Sequence, residues 1–243
     1  MGAVHLFAVF GLLALVEAKE LKLVSCFFTF QNVNRAVFSS TTASKVPFCA
    51  RLELTKEPFK GQFRHIACST LTSQFIFTSA HCVTFTANGA VFVGITDMAT
   101  AFNDPNKQFV DFTPTDVIIH PEFSHKKGNG IALVKLSSPL TLNRAVRTVV
   151  VPRSPNLNPP DMNYVVYGMG ATYHANGTPK VDQKLRYASI PLTSDAECMY
   201  GLPKKKEPKV SVKQGRYPGV LVSVWEYCDW LHEAMEESFS CID

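Results

Sequence analysis

Beyond its first eighteen residues the sequence has no long apolar run, no internal repeat and no low-complexity tract. No later segment approaches the roughly 20 apolar residues that a membrane-spanning helix requires, so we expect no membrane partner. The formal net charge is only +4, which does not indicate a nucleic-acid partner. With 46% hydrophobic and 11% aromatic residues, the composition is typical of a chain that buries a sizeable core.

The sequence also lacks any cysteine pair with CxxC spacing, although it contains seven cysteines. His81–Cys82 does not belong to a zinc-binding pattern either, so disulfides in an oxidising compartment are the better interpretation, with no metal and no cofactor. Because seven is odd, at least one thiol is free or forms an intermolecular disulfide with another chain. The cysteines are Cys26, Cys49, Cys68, Cys82, Cys198, Cys228 and Cys241.

Residues 1–18, MGAVHLFAVFGLLALVEA, are typical of a secretory signal peptide. The apolar core Leu6–Val16 is too short to span a bilayer, and small residues at Val16 and Ala18 precede a charged pair. The alternative is a buried N-terminal helix. A signal peptide predicts secretion to the extracellular space, which agrees with the cysteine content.

Short apolar or alternating runs recur along the chain with turn residues between them, a pattern that indicates many short strands and an all-β sandwich or barrel. The runs are Phe75–Thr78, Ala90–Val93, Val117–Ile119, Ile131–Leu136, Val149–Val151, Tyr164–Tyr167 and Val220–Val224, and the turns carry Asn88-Gly89, Asp104-Pro105, Pro159-Pro160 and Asn176-Gly177. Asn176 also begins a glycosylation sequon, which predicts a surface loop, although Pro179 directly after the sequon lowers the expected occupancy.

One amphipathic helix is predicted at the C-terminus, over roughly Val224–Glu237, and its apolar face should dock on the β body. That face carries Tyr227, Trp230, Leu231, Ala234 and Met235. A proline-rich polar segment, residues 152–160, divides a first half, about 36–150, from a second half, about 161–243. A linker between two β units is the expected role of this segment.

Five stretches, in the order of the chain, resemble the trypsin-like (chymotrypsin-fold, S1 family) serine proteases. They are CSTLTSQFIFTSAHCV, VIIHPEF with GNGIALVKL, YVVYGMGAT, LRYASIPLTSDAEC and RYPGVLVSVWEYCDWL, and together they cover most of residues 36–234. The resemblance implies two antiparallel β-barrels and a C-terminal helix. After the signal peptide at 1–18, it implies a pro-segment-like extension at 19–35 and a trypsin-like domain at 36–243.

In that family a serine hydroxyl attacks a carbonyl, a histidine removes its proton, and a buried aspartate orients the histidine and stabilises its charged form. The resemblance assigns the histidine to His81. At the aspartate's position stands Gly130, in the stretch GNGIALVKL. Glycine has no side chain to accept the imidazole N–H, and loss of that orientation alone should lower the rate by roughly four orders of magnitude.

The serine-bearing segment is absent as well. No Gly-x-Ser-x-Gly occurs anywhere, and only seventeen residues separate Cys198 from Arg216. The resemblance implies that this interval holds the nucleophile, the specificity pocket and about two strands, which need about thirty residues. We therefore predict a truncated second barrel with unpaired strand edges, where residues 209–213 can substitute as one strand and a partner strand can add.

The stretch that resembles the family's activation cleavage site also departs from the family pattern. Arg35 followed by Ala36-Val37-Phe38-Ser39 resembles the family's cleavage site, but both of its glycines are gone. A cut after Arg35 could not switch on a catalytic site whose other parts are missing.

We therefore interpret His81 as a remnant and the chain as a secreted pseudoprotease, not an enzyme. It would act by binding a protein partner, within a proteolytic or immune cascade. One alternative is a trypsin-like endopeptidase whose serine-bearing segment is missing from this version of the sequence. The other is a degenerate product with no selected role.

The resemblance also implies a disulfide between Cys68 and Cys82. Cys198 has lost its family partner with the deletion. Cys228 and Cys241 flank the last helix and can bond each other, or either can bond Cys198. Cys26 can tether the N-terminal extension to Cys49 or to another chain.

A basic loop follows Cys198, within residues 204–216. Four lysines between residues 204 and 209, with Lys213 and Arg216 after them, are predicted to form a patch that binds polyanions such as sulfated glycans, or an acidic protein partner. The alternative is a solvated loop that fills the deletion. The lysines that define the patch are Lys204, Lys205, Lys206 and Lys209.

Overall fold

The computed structural model describes residues 24–27, 41–42, 46–56, 62–65, 69–84, 86–124, 129–153, 164–173, 179–190, 219–222 and 224–242. The strands are β1 (Val24–Phe27), β2 (Thr41–Thr42), β3 (Ala50–Lys56), β4 (Gln62–His65), β5 (Ser69–Thr70), β6 (Phe75–Ser79), β7 (Thr86–Val93), β8 (Gln108–Phe112), β9 (Val117–Ile119), β10 (Ile131–Lys135), β11 (Tyr164–Tyr173), β12 (Pro179–Ile190) and β13 (Gly219–Val222). A short helix spans Ala80–Val83 and the C-terminal helix spans Cys228–Ala234. All ladders between these strands are antiparallel, which confirms the all-β prediction.

The first half of the chain forms two four-stranded sheets, in the orders β4-β3-β7-β8 and β5-β6-β10-β9. Alternate side chains of a strand point to one face, so each sheet contributes every second residue to a shared apolar core. Leu52 and Val91 come from the first sheet, and Ile76 and Val134 come from the second; each has no exposed surface. This core holds the two sheets face to face.

Strands β6 and β10 are buried on both faces. Ile76 and Ala132 point into the core between the sheets, whereas Phe77 and Leu133 pack in a second cluster that includes Leu231 of the C-terminal helix. Burial on both faces explains why FIFTS and IALVK read as continuous apolar runs without alternation. The two strands thus form the wall between the first core and the C-terminal helix.

The second half contributes β11 and β12 to a three-stranded sheet, in the order β11-β12-β2, whose third strand comes from the first half. The register between β11 and β12 has an irregularity between Gly168 and Gly170. Leu185 of β12 donates its backbone N–H to the Thr96 carbonyl oxygen at 2.7 Å. Its side chain is fully buried in a small cluster with Cys49 and Ile95. This contact joins β12 to the first half. β1 and β13 form a separate antiparallel pair.

The C-terminal helix is shorter than the sequence predicts. Residues Val224–Tyr227 form a 3-10 turn before it, and the α-helix ends at Ala234. Glu236 and Glu237 have φ angles of 54° and 63°, in the left-handed region that interrupts a right-handed helix. The predicted apolar face is nevertheless the one that packs in the second cluster.

Two local predictions are wrong. Asn88-Gly89 does not form a turn but lies inside β7, where a β-carbon at Gly89 would collide with the Phe112 ring. A glycine is required at residue 89 because the Phe112 ring lies too close for a side chain, and not because the backbone forms a turn there. Val149–Val151 is not a strand, although Val149 N–H donates to the Thr70 carbonyl oxygen at 2.8 Å.

The segment predicted as a linker begins at Pro152, and only Pro152 and Arg153 of it fall within the described residues. Arg153 donates its backbone N–H to the Ile242 carbonyl oxygen at 2.6 Å, and Ile242 donates to the Val151 carbonyl oxygen at 3.0 Å. The start of the linker is therefore held by the C-terminal end of the described chain. None of the helices in the described ranges has the length and apolar character needed to cross a bilayer.

Candidate functional site

The backbone of His81 lies in the short helix Ala80–Val83, which begins directly after the buried strand β6. Thr84 closes this helix, because its backbone N–H and its hydroxyl both donate to the Ala80 carbonyl oxygen, at 2.9 and 2.7 Å. The helix is thus a single tight turn at the end of a buried strand. The imidazole of His81 lies outside the described part of the structure.

Gly130 is brought next to this helix by the pairing of β6 with β10, in which Ser79 lies opposite Ile131. The backbone N–H of Ala80 donates to the Gly130 carbonyl oxygen at 2.9 Å. The structure therefore brings together the backbones of the two segments that carry His81 and Gly130. At residue 130 the chain presents only a hydrogen atom in place of a side chain.

The residue before Gly130 is fixed by a polar contact with the C-terminal helix region. The Tyr227 hydroxyl donates to Asn129 Oδ1 at 3.1 Å, and Asn129 Nδ2 donates to the Glu122 carbonyl oxygen at 3.3 Å. Asn129 has a φ of 54°, a left-handed conformation that asparagine tolerates better than most residues. These bonds hold the Asn129–Gly130 backbone in place beside Ala80.

His120 adds an aromatic group to the same region. Its ring lies 5.3 Å from the Tyr227 ring, nearly perpendicular, and 5.1 Å from the Trp230 ring. The backbone N–H of Glu122 donates to His120 Nδ1 at 3.2 Å. The sequence patterns predict no role for His120 or Asn129 and only an apolar role for Tyr227. The sequence feature that could have pointed to these residues is the presence of polar or aromatic groups in HPEF, in GNG and in the C-terminal helix.

Burial, together with the smaller effect of the negative charges of Glu226 and Glu122, raises the pKa of Tyr227 to about 12. The ordinary value for tyrosine is about 10. Between about pH 10 and 12 the folded state therefore keeps a proton that the unfolded state loses. Stability from this group is fully present below pH 10 and is lost as the pH rises through that window.

We accordingly expect one of the seven tyrosines to ionise near pH 12 in an absorbance titration of the folded protein. Tyr227→Phe should remove this late phase, because the phenol that causes it is gone. The variant should also lose less stability than the wild type between pH 10 and 12. If the variant keeps the late phase, or if all tyrosines ionise near pH 10, the buried Tyr227–Asn129 contact is not formed as described.

Among the cysteines, Cys228 and Cys241 are joined by a disulfide, with their Cα atoms 5.9 Å apart. This is one of the alternatives that the sequence leaves open. Cys49 is a free, buried thiol, and burial raises its pKa to about 12, although the positive charge of Arg51 acts in the opposite direction. The structure therefore leaves Cys49 unbonded to Cys26.

Several predicted site residues fall outside the described residues. They are Cys68, and with it the Cys68–Cys82 pairing, Asn176 of the sequon, and Lys204, Lys205, Lys206 and Lys209 of the basic loop. Within the described ranges, no group of three or more histidine, cysteine, aspartate or glutamate residues is arranged to hold a metal ion.

Residues 37–215 match the family model described as Trypsin, which is more than half of the chain. Trypsin-1 of Astacus astacus is 29% identical over 148 residues, which cover 59% of this chain and 60% of that protein. Trypsin of Sus scrofa is 31% identical over 137 residues, with coverages of 56% and 54%. Chymotrypsin-like elastase family member 1 of Bos taurus is 24% identical over 172 residues, with coverages of 70% and 62%.

The chain therefore spans 54% to 62% of the length of these curated relatives. Among solved structures, one described as "Structure of GrC" superposes with a TM-score of 0.66 at 18% identity. The match covers 81% of this chain and 98% of that one. At this identity the likeness concerns the fold alone.

Proposed function

Because the chain belongs to the trypsin family of serine proteases and has its fold, we propose that it is a secreted, non-catalytic member that acts by binding another protein. The observation that carries the proposal is the glycine at residue 130. Its carbonyl oxygen accepts the N–H of Ala80, one residue before His81, and it offers no carboxylate. An imidazolium formed at His81 would have no aspartate there to orient or stabilise it.

A second observation supports the proposal independently. The sequence holds no Gly-x-Ser-x-Gly, and the seventeen residues between Cys198 and Arg216 are too few for a serine-bearing loop with about two strands. A nucleophile and its base act as a unit, so the absence of either removes most of the rate. Two separate losses make a working protease a poor interpretation of this chain.

Secretion is supported by the predicted signal peptide at residues 1–18 and by the buried Cys228–Cys241 disulfide, which is typical of oxidising compartments. A folded, secreted chain without a catalytic unit can still bind proteins through its surface. We propose a regulatory role in a proteolytic or immune cascade on this basis.

The second candidate function is a trypsin-like endopeptidase whose serine-bearing segment is missing from this version of the sequence. It is favoured by the trypsin and elastase relatives and by the fraction of their length that the chain spans. Sequencing the transcript across codons 198–216 distinguishes the two. A long additional segment with Gly-Asp-Ser-Gly-Gly would favour the endopeptidase, and an interval of the same seventeen residues would favour the non-catalytic protein.

The proposal is tested by labelling the purified full chain with a fluorophosphonate probe, beside porcine trypsin as a positive control. We expect labelling at background and ester hydrolysis lower than that of trypsin by roughly four orders of magnitude or more. His81→Ala is the matched control and should change neither result. Labelling of the wild type that disappears in His81→Ala would show that the chain is an enzyme.

A further inference from the structure

The strand pair β1–β13 joins two segments that lie at opposite ends of the chain. Val24–Phe27 runs antiparallel to Gly219–Val222, with Cys26 opposite Val220 and Ser25 opposite Leu221. Among the described strands, β13 pairs with β1 and with no other. One edge of β13 is therefore covered by a strand that precedes the whole trypsin-like domain.

The chain between β1 and the next described strand contains Arg35, the residue at the predicted cleavage position. That next strand, β2, belongs to a different sheet and pairs with β12, with Thr42 opposite Arg186. Residues 28–40 thus link two strands that have separate neighbours. A cut among these residues would separate β1 from the rest of the main chain without removing any residue of β2 or β13.

The stability of so short a pairing depends on this covalent link. A two-stranded ladder of four residue pairs is marginal by itself in water. A strand that is covalently tethered to its partner has an effective concentration on the order of millimolar there, and a cut in the tether removes that advantage. After a cut, β1 can leave and expose the N–H and C=O groups along the edge of β13. Such an edge accepts an extended peptide as an additional strand.

We propose that the edge of β13 is a strand-binding site for an extended, uncharged and largely apolar segment of a partner protein, and that β1 occupies it in the intact chain. The identity of the segment follows from β1 itself, VSCF, and from β13, GVLV, neither of which carries a charge. Cleavage between residues 28 and 40 would open the site. This proposal rests on the proposed function only in taking the partner to be a protein.

The pairing is tested by Val220→Cys in the full chain. Directly opposite residues of antiparallel strands have β-carbons about 4.5–5.5 Å apart, close enough for a disulfide after small adjustments. We expect the introduced thiol to bond Cys26, as shown by peptide mass mapping of the unreduced protein. Leu221→Cys is the matched control, because residue 221 is paired with Ser25 and not with Cys26, and successive residues of a strand alternate between its two faces. Absence of the bond in Val220→Cys, or equal bonding to Cys26 in both variants, would overturn the proposed pairing.

The occupancy of the edge is tested by replacing residues 32–35 with a recognition sequence for a site-specific protease. After the cut, the fragment with β1 should separate from the domain in gel filtration under mild reduction. A synthetic peptide of residues 22–29 carrying Cys26→Ser should bind the cut protein at least tenfold more tightly than the intact protein. Equal binding to both forms, or binding to neither, would overturn the proposal. With Val220→Cys oxidised, the fragment should stay attached and the peptide should not bind.

These outcomes are independent of catalysis. A chain that reacts with the fluorophosphonate probe would contradict the non-catalytic function and leave the strand-binding result unaffected. A cut chain that fails to bind the peptide would contradict the strand-binding site and leave the labelling result unaffected.

Discussion

Phe77→Ala is expected to lower the free energy of unfolding by about 3–5 kcal/mol, the range for truncating a buried phenylalanine. Phe77 is 2% exposed and lies in the centre of β6, opposite Leu133 of β10. Its ring belongs to the second cluster, with Leu231 and Met235 of the C-terminal helix region. The truncation would leave a cavity where β6 meets that helix, because the packed neighbours cannot fill it completely.

The measurement is urea unfolding of the full chain, with Phe102→Ala as the matched control. Phe102 is 89% exposed, and its ring lies 4.9 Å from the Lys107 ammonium. Loss of that contact should cost about 0.5–1 kcal/mol at most. If the two variants unfold at the same urea concentration, β6 is not buried against the C-terminal helix. Because β6 leads directly into the helix of His81, the Ala80–Gly130 contact would then also be in doubt.

Removing the Cys228–Cys241 disulfide is expected to destabilise the protein by about 3 kcal/mol in the chain-entropy model. The bridge closes a short loop, with a sequence separation of 13, around the C-terminal helix. It also anchors Ile242, which hydrogen-bonds to Val151 and Arg153 in the first part of the linker. Without the bridge, the unfolded chain gains conformational entropy. In the folded state, Ile242 is then no longer held in position for its two hydrogen bonds.

The test compares Cys228→Ala, Cys241→Ala and the double variant in a double-mutant cycle. Either single substitution breaks the bridge, so the second should add much less than the first and the cycle should be strongly non-additive. Cys49→Ala is the control, since Cys49 is a buried cysteine that forms no bridge, and it should cost about 1 kcal/mol. Additive effects, each the size of the Cys49→Ala effect, would mean that the bridge contributes nothing beyond its buried atoms.

The apolar runs FIFTS and IALVK were sufficient to predict β6 and β10, because a strand that is buried on both faces has no need of alternation. The turn predicted at Asn88-Gly89 shows where prediction from local sequence fails. The pair has turn chemistry, yet Gly89 lies in β7 because the Phe112 ring and the Glu53 carbonyl oxygen approach it closely. A ring supplied from more than twenty positions away overrides the local preference of the dipeptide.

The Cys228–Cys241 disulfide is a second feature that local sequence left open and that the tertiary structure decided. The sequence allowed Cys228 to bond either Cys241 or Cys198, since spacing alone does not decide connectivity. The folded chain pairs it with Cys241, because the helix ends at Ala234 and the left-handed residues Glu236 and Glu237 turn the chain back toward Cys228 at the helix start.

The amino-acid sequence alone determined the absence of an aspartate at residue 130 and of a serine motif, because the presence of a functional group is a property of each residue by itself. It also determined the all-β class, since strand periodicity and turn residues act over a few positions. Only the tertiary structure decided that Tyr227 bonds Asn129, that Gly130 contacts Ala80 and that β1 covers β13. Such contacts join residues far apart in the chain, and they form only when the burial of the whole core offsets the entropy lost in closing the intervening loops.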